Sequence, residues 1–156
     1  GETVFEADFE SGDLSSWATS DTMKASIKPS IGKDFSKGLS IDEGAGKWQT
    51  IRYYFTAEEN AYYEIDFDYY ESTNAETVQV LVRSDEIEYF YKSGRLGSTK
   101  GEWEHYNARF SIGSHETTNL RLVICTDGII GANDKAFDNF VIRKISETPD
   151  DGGDDE

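Results

Sequence analysis

The stretch Tyr63-Glu64-Ile65-Asp66-Phe67-Asp68-Tyr69 alternates an apolar or aromatic side chain with a carboxylate at every position. Extended backbone sends successive side chains to opposite faces, so the apolar residues share one face and the acids the other; on a helix both sets would scatter around the axis. The same period of two recurs at Phe5, Ala7 and Phe9, at Ile51, Tyr53 and Phe55, at Val78, Val80 and Val82, at Tyr106, Ala108, Phe110 and Ile112, at Leu120, Leu122 and Ile124, and at Phe140 and Ile142. Turn-forming clusters at 43–47, 72–75, 93–101, 113–118 and 127–135 separate these runs. About nine or ten short antiparallel strands and no helix are predicted. Such strands, without alternating helices, pair into a sandwich or a barrel. The expectation is an all-β antiparallel β-sandwich with jelly-roll topology, its two sheets of roughly four to five strands each.

Aromatic residues make up 13% of the 156, with nine Tyr, nine Phe and three Trp against one Met and one Cys. That usage favours strands. The length suits one domain spanning 1–145. From Ser146 the alternation stops, and 146–156 reads as an acidic Pro/Gly linker or tail, expected to be disordered and to lead into a longer, multi-domain chain. The formal charge is −16; six of the last ten residues are acidic, which leaves −10 on the remainder. Nucleic acid and anionic membranes are therefore poor partners. Lone Cys125 excludes an internal disulfide and a multi-cysteine zinc site, and its place in the apolar run from Leu120 reads as a buried, inert thiol. No run approaches the ~20 apolar residues of a membrane-crossing helix. A soluble protein is expected, secreted or extracellular and bacterial, with any export signal already removed.

Several motifs carry a resemblance. Asp8-Phe9-Glu10-Ser11-Gly12 ends the first strand, Trp17 follows, Lys37-Gly38-Leu39-Ser40-Ile41 forms another strand, Gly101-Glu102-Trp103 opens a long one, and Phe137-Asp138-Asn139-Phe140-Val141-Ile142 closes the domain. Together they resemble the jelly-roll carbohydrate-binding modules of families four, nine, sixteen and twenty-two, over residues 4–145. The resemblance implies a structural Ca2+ between the first and last strands, away from the sugar, with Asp8, Glu10 and Asp138 as the matching carboxylates. The residues bear on this independently. Asp138 shares strand parity with Phe140 and Ile142, which points it to the core side, where an unpaired carboxylate is costly and a cation relieves the cost. Carboxylate and carbonyl oxygens without His or Cys suit calcium better than zinc. The plainer alternative is that these acids cap loops or pair with lysines at the rim.

The resemblance also implies that strands 48–56, 77–83 and 103–112 share one sheet, whose outer concave face takes polysaccharide. Parity then lists what faces outward: Trp48, Arg52 and Tyr54; Gln79 and Arg83; His105, Asn107 and Arg109. Tyr89 and Tyr91 join them from the next strand, in a register left open. A sugar needs a flat aromatic face for its axial C–H groups and planar donors or acceptors for vicinal hydroxyls; Trp48 and Tyr54 supply the first, the Arg, Gln, His and Asn side chains the second. An arginine row in an acidic chain also admits a carboxylate-bearing ligand. Trp17 and Trp103 read as structural aromatics.

No pair of carboxylates is singled out for glycoside hydrolysis, and His105 and His115 have no nucleophile motif beside them. The expected function is therefore a non-catalytic, monomeric module that binds plant or microbial polysaccharide (β-glucan, xylan, or related hemicellulose or pectin) or oligosaccharide, and holds an attached catalytic domain near the plant cell wall. The contrasting readings are an extracellular adhesive, protein-binding sandwich and a small jelly-roll polysaccharide lyase. Adhesive sandwiches of the MAM type share Phe9-Glu10-Ser11-Gly12 followed by a Trp, but they carry paired cysteines that this chain lacks.

Overall fold

A computed structural model describes residues 2–72, 77–115, 117–132 and 134–145. The expected tail at 146–156 lies outside the described residues. Eleven strands run in chain order: β1 (Thr3–Ala7), β2 (Ala18–Thr19), β3 (Ala25–Lys28), β4 (Gly38–Ile41), β5 (Thr50–Phe55), β6 (Tyr62–Glu71), β7 (Val78–Arg83), β8 (Tyr91–Lys92), β9 (Glu104–Ser111), β10 (Leu120–Thr126) and β11 (Lys135–Ile145). The one helical element described is a single 3₁₀ turn at Lys33–Phe35.

The long alternating segment at 62–71 becomes β6, central in its sheet because both flanks find partners of the same period. Tyr63, Ile65, Phe67 and Tyr69 are fully buried on its inner face. One sheet has the order β3-β4-β11-β6-β9, with β1 also hydrogen-bonded to β11; the other has the order β2-β5-β10-β7-β8. All the pairings are antiparallel. From β4 onward the chain changes sheet at nearly every connection, the trait of a jelly roll. The sheets number six and five strands; the five-stranded sheet is as expected, and the other exceeds the expectation by one because β1 also joins β11.

The two inner faces interlock. Phe67 stacks on Tyr106 at 5.0 Å and on Phe140 at 5.2 Å, while Ile51, Val80, Val82, Leu122 and Ile124 close over them from the other sheet. Trp17 packs over one end against Phe5, Phe9 and Tyr53, a structural role. The first and last strands meet directly, Phe5 opposite Ile142 and Ala7 opposite Phe140.

Two expectations are corrected here. Strand 103–112 does not share a sheet with 48–56 and 77–83: β9 pairs with β6, which lets Tyr63 stack on Phe110 and Phe67 on Tyr106 inside the core. The parity placing Asp138 with Phe140 also fails. A bulge between Asp138 and Val141 resets the alternation, so buried Phe137 opposes Tyr69 while Asp138 opposes Asp68 on the outer face. Asp138 is buried all the same, beneath the 32–37 loop.

Candidate functional site

The outer face of the five-stranded sheet carries a groove built by strand register. Arg121 of β10 lies between Tyr54 of β5 and Arg83 of β7; Val123 lies between Arg52 and Leu81; Cys125 lies between Thr50 and Gln79. Val123 and Leu81 are 1% and 7% exposed and form an apolar floor. Trp48, just ahead of β5, and Tyr89, just ahead of β8, stand at 57% and 44% exposure on either side of a cavity of about 280 Å³. Gln79, Arg83, Lys92 and Cys125 line its wall. Trp48 is held at a positive φ of 60° by its backbone N–H, which donates to the Thr126 carbonyl at 2.9 Å. The ring thus projects instead of folding onto the sheet.

Polar atoms in this groove lack partners. Gln79 Oε1 and Arg83 Nε are buried without a protein hydrogen bond. Leaving each so costs about 1–3 kcal/mol, so they suit a ligand that supplies one donor and one acceptor. Arg52 donates to Thr50 Oγ1 at 2.6 Å, and the Lys47 and Lys92 ammonium groups sit over the Trp48 and Tyr89 rings at 5.5 and 5.0 Å. Among the described residues, Arg52, Arg83, Lys47 and Lys92 have no carboxylate within ion-pair distance. Arg121 differs: it reaches Asp85 at 2.9 Å and lies 5.6 Å from the Tyr54 ring centroid. Exposed Glu88 also lines the groove.

Of the residues expected on this face, Trp48, Arg52, Tyr54, Gln79, Arg83 and Tyr89 are there. Tyr91 is not: it pairs with core residue Val82 and turns inward, and burial, with Tyr106 nearby, pushes its phenol up to about 12. His105, Asn107 and Arg109 project from β9 on the opposite sheet. There His105 Nδ1 and Nε2 each lie 2.8 Å from a carboxylate, Asp68 and Asp66. Asn107 donates to Glu64 and Asp66, and Arg143 reaches the same two acids at 2.7 and 3.1 Å. The acidic row of β6 is thus answered from β9 and β11. The hydrogen bond that His105 donates to Asp68, opposed by partial burial and reinforced by the one to Asp66, raises the His105 pKa above its ordinary value.

Arg121, Lys92 and Cys125 were missed as groove residues. Parity along β10, applied as on β5, identifies Arg121 and Cys125; only the neighbours of β10 place them at the centre. The thiol is half-buried on the outer face and not in the core. Burial, then the Asp127 charge, raise its pKa.

Near the β1–β11 junction, Asp138 is 1% exposed and accepts hydrogen bonds from Lys33 N–H, Ser36 Oγ and Asn139 N–H at 3.0, 3.0 and 2.8 Å. Burial nevertheless raises its pKa, and the Glu10 charge adds to the rise. Glu10 accepts from Lys37 N–H at 3.1 Å, and its carbonyl accepts from Lys37 Nζ at 3.1 Å. Asp8 is turned into its own loop, accepting from Glu10 N–H at 3.1 Å. Among the described residues, no three His, Cys, Asp or Glu side chains converge as a metal-holding group. Of the other two acids, Glu10 is the one whose charge acts on the Asp138 carboxyl.

Residues 1–134 match the model of the family described as carbohydrate binding domain. No curated protein matches the chain in sequence. Among solved structures, the CBM22-1 xylan-binding domain of Paenibacillus barcinonensis Xyn10C superposes with a TM-score of 0.69 at 14% identity, covering 93% of this chain and 96% of that one. The CBM22-1–GH10 modules of Clostridium thermocellum xylanase 10B, complexed with xylohexaose, give 0.70 at 16%, covering 97% of this chain and 30% of that one. A family 16 carbohydrate-binding module gives 0.66 at 16%, covering 86% and 94%. At these identities the likeness establishes the fold.

Proposed function

The chain belongs to the carbohydrate-binding domain family, and from that premise we propose that the groove between Trp48 and Tyr89 takes a segment of β-linked polysaccharide of the xylan or β-glucan type. The domain is non-catalytic and binds carbohydrate. The observation carrying the groove assignment is the pairing of two exposed rings with two unpartnered polar atoms between them, Gln79 Oε1 for a sugar hydroxyl to donate to and Arg83 Nε to donate to a sugar oxygen. Likeness to a xylan-binding domain, and to modules crystallised with xylohexaose, supports the xylan class. One of those neighbours is joined to a GH10 module, which supports a role in holding an attached enzyme at its substrate outside the cell.

Affinity electrophoresis through gels holding xylan or β-glucan tests the site. Trp48→Ala or Arg83→Ala should abolish the retardation seen for the unaltered chain while Tm changes by no more than about 2 °C, since neither side chain supports the core. Unchanged retardation in both variants would refute the groove assignment.

Charge favours a second reading of the ligand. Two cations without carboxylate partners, Arg83 and Lys92, line the groove, and Arg52 and Lys47 stand on the same face and beside Trp48, in a chain whose net charge is −16. A chain bearing uronate substituents would answer them, and its binding would weaken with salt. Equal, salt-insensitive affinity for neutral and uronate-substituted xylan would dismiss it. Calcium is proposed as the structural ion, held by Asp138 and Glu10, where it would neutralise a buried charge.

A further inference from the structure

A cavity of about 430 Å³ lies on the other sheet, where the connection from β3 to β4 passes over its outer face. Tyr70 at the end of β6 and Trp103 just ahead of β9 present their rings side by side, centroids 5.6 Å apart and planes 40° apart. Phe35 faces the same space from the loop at 86% exposure. Asp34 and Asp134 line it too, and their carboxylates have no partner among the described residues. Ser30, Asp34 and Phe35 all hold positive φ, between 56° and 64°. Such backbone costs roughly 1–2 kcal/mol per residue, and here it displays a phenyl ring in water instead of burying it.

We infer that this cavity is a second carbohydrate site, specific for a neutral sugar. Three aromatic faces meet the axial C–H groups of a pyranose, and two unpaired carboxylates accept its hydroxyls through charge-assisted hydrogen bonds. The same carboxylates repel a uronate, so the site differs in class from the cation-rich groove. Because the two sites lie on outer faces of opposite sheets, one glycan segment does not fill both. The domain is bivalent and cross-links chains or strengthens retention by avidity. The inference rests on the family's carbohydrate ligand but not on the groove being its place.

The three indole N–H signals test it in a titration of the full chain with xylohexaose followed by NMR. Trp48 and Trp103 should both shift while core-packed Trp17 stays fixed. Phe35→Ala, which removes a ring that packs on nothing, should weaken the Trp103 response tenfold or more and leave that of Trp48 unchanged; Arg83→Ala, in the groove, should do the reverse. A Trp103 signal that never moves overturns the inference and leaves the groove standing. Movement of Trp103 alone sinks the groove and supports the second site. Movement of Trp103 with a glucosamine oligomer but not with xylohexaose overturns the neutral-sugar class.

Discussion

His105 sits between the carboxylates of Asp66 and Asp68, and its protonated form donates from both ring nitrogens at once. Its pKa is raised above the ordinary 6.5. A cationic group raised by folding stabilises the fold fully below its unfolded pKa and loses that contribution as pH climbs through the folded one. The side chain is 52% exposed, so solvent screening limits the gain to about 0.5–1 kcal/mol. His105→Gln should therefore lower Tm by roughly 1–3 °C at pH 5.5 and by progressively less as pH rises above 6.5. An imidazole pKa below 6.5 by NMR titration would contradict this. Arg83 is the converse case: its buried Nε has no protein partner, so Arg83→Ala is expected to cost binding rather than stability.

Among the elements, β6 and β11 bear most of the architecture. At one end of their ladder Lys135 opposes Glu71, both fully buried, with Nζ 2.9 Å from Oε2; the Tyr69 hydroxyl donates to the other oxygen at 2.6 Å. Burial and this carboxylate raise the Tyr69 pKa, keeping the phenol a donor at every physiological pH. Lys135→Ala should cost about 3–5 kcal/mol because Glu71 is left buried and uncompensated, whereas the double change Lys135→Met, Glu71→Leu should recover most of the loss. Urea unfolding measures both; equal losses would show that the pair matters through shape and not charge. Toward the other end, the bulge at 138–141 lifts Asp138 out of the core pattern. Gly32 then lets the loop settle on it, since a Cβ there would collide with the Lys37 carbonyl and the Asp138 carboxylate.

For the whole molecule, the clasp between β1 and β11 is where a cation would act. Folding raises the Asp138 pKa, so this carboxyl withdraws stability as pH climbs from its unfolded pKa to its folded one, and a cation beside it would offset that loss. Calcium at 100 times its Kd should add about 2.7 kcal/mol and raise Tm by several degrees, and a chelator should reverse it. Asp138→Asn should abolish the response. A Tm indifferent to calcium and chelator alike would count against the ion.

The run at 63–69, the apolar rows of β5, β7, β9 and β10, and the outward aromatics Trp48 and Tyr54 were all legible in the sequence. The reason is local: a two-residue backbone period assigns each side chain to a face whatever strand lies beside it. Non-local pairing decided everything else. Arg109 and His105 have the right parity for a sugar-facing strand, yet β9 joins β6, and they meet acids instead. Arg121 and Cys125 sit on the central strand of that face because β10 runs between β5 and β7. One extra residue in β11 reverses the side on which Asp138 lies. Period and composition by themselves determined a two-faced, all-strand chain and its inner surface. Which strands neighbour one another, and hence which outward residues share a site, only the tertiary structure decided, because that choice depends on packing across both sheets, which no local window contains.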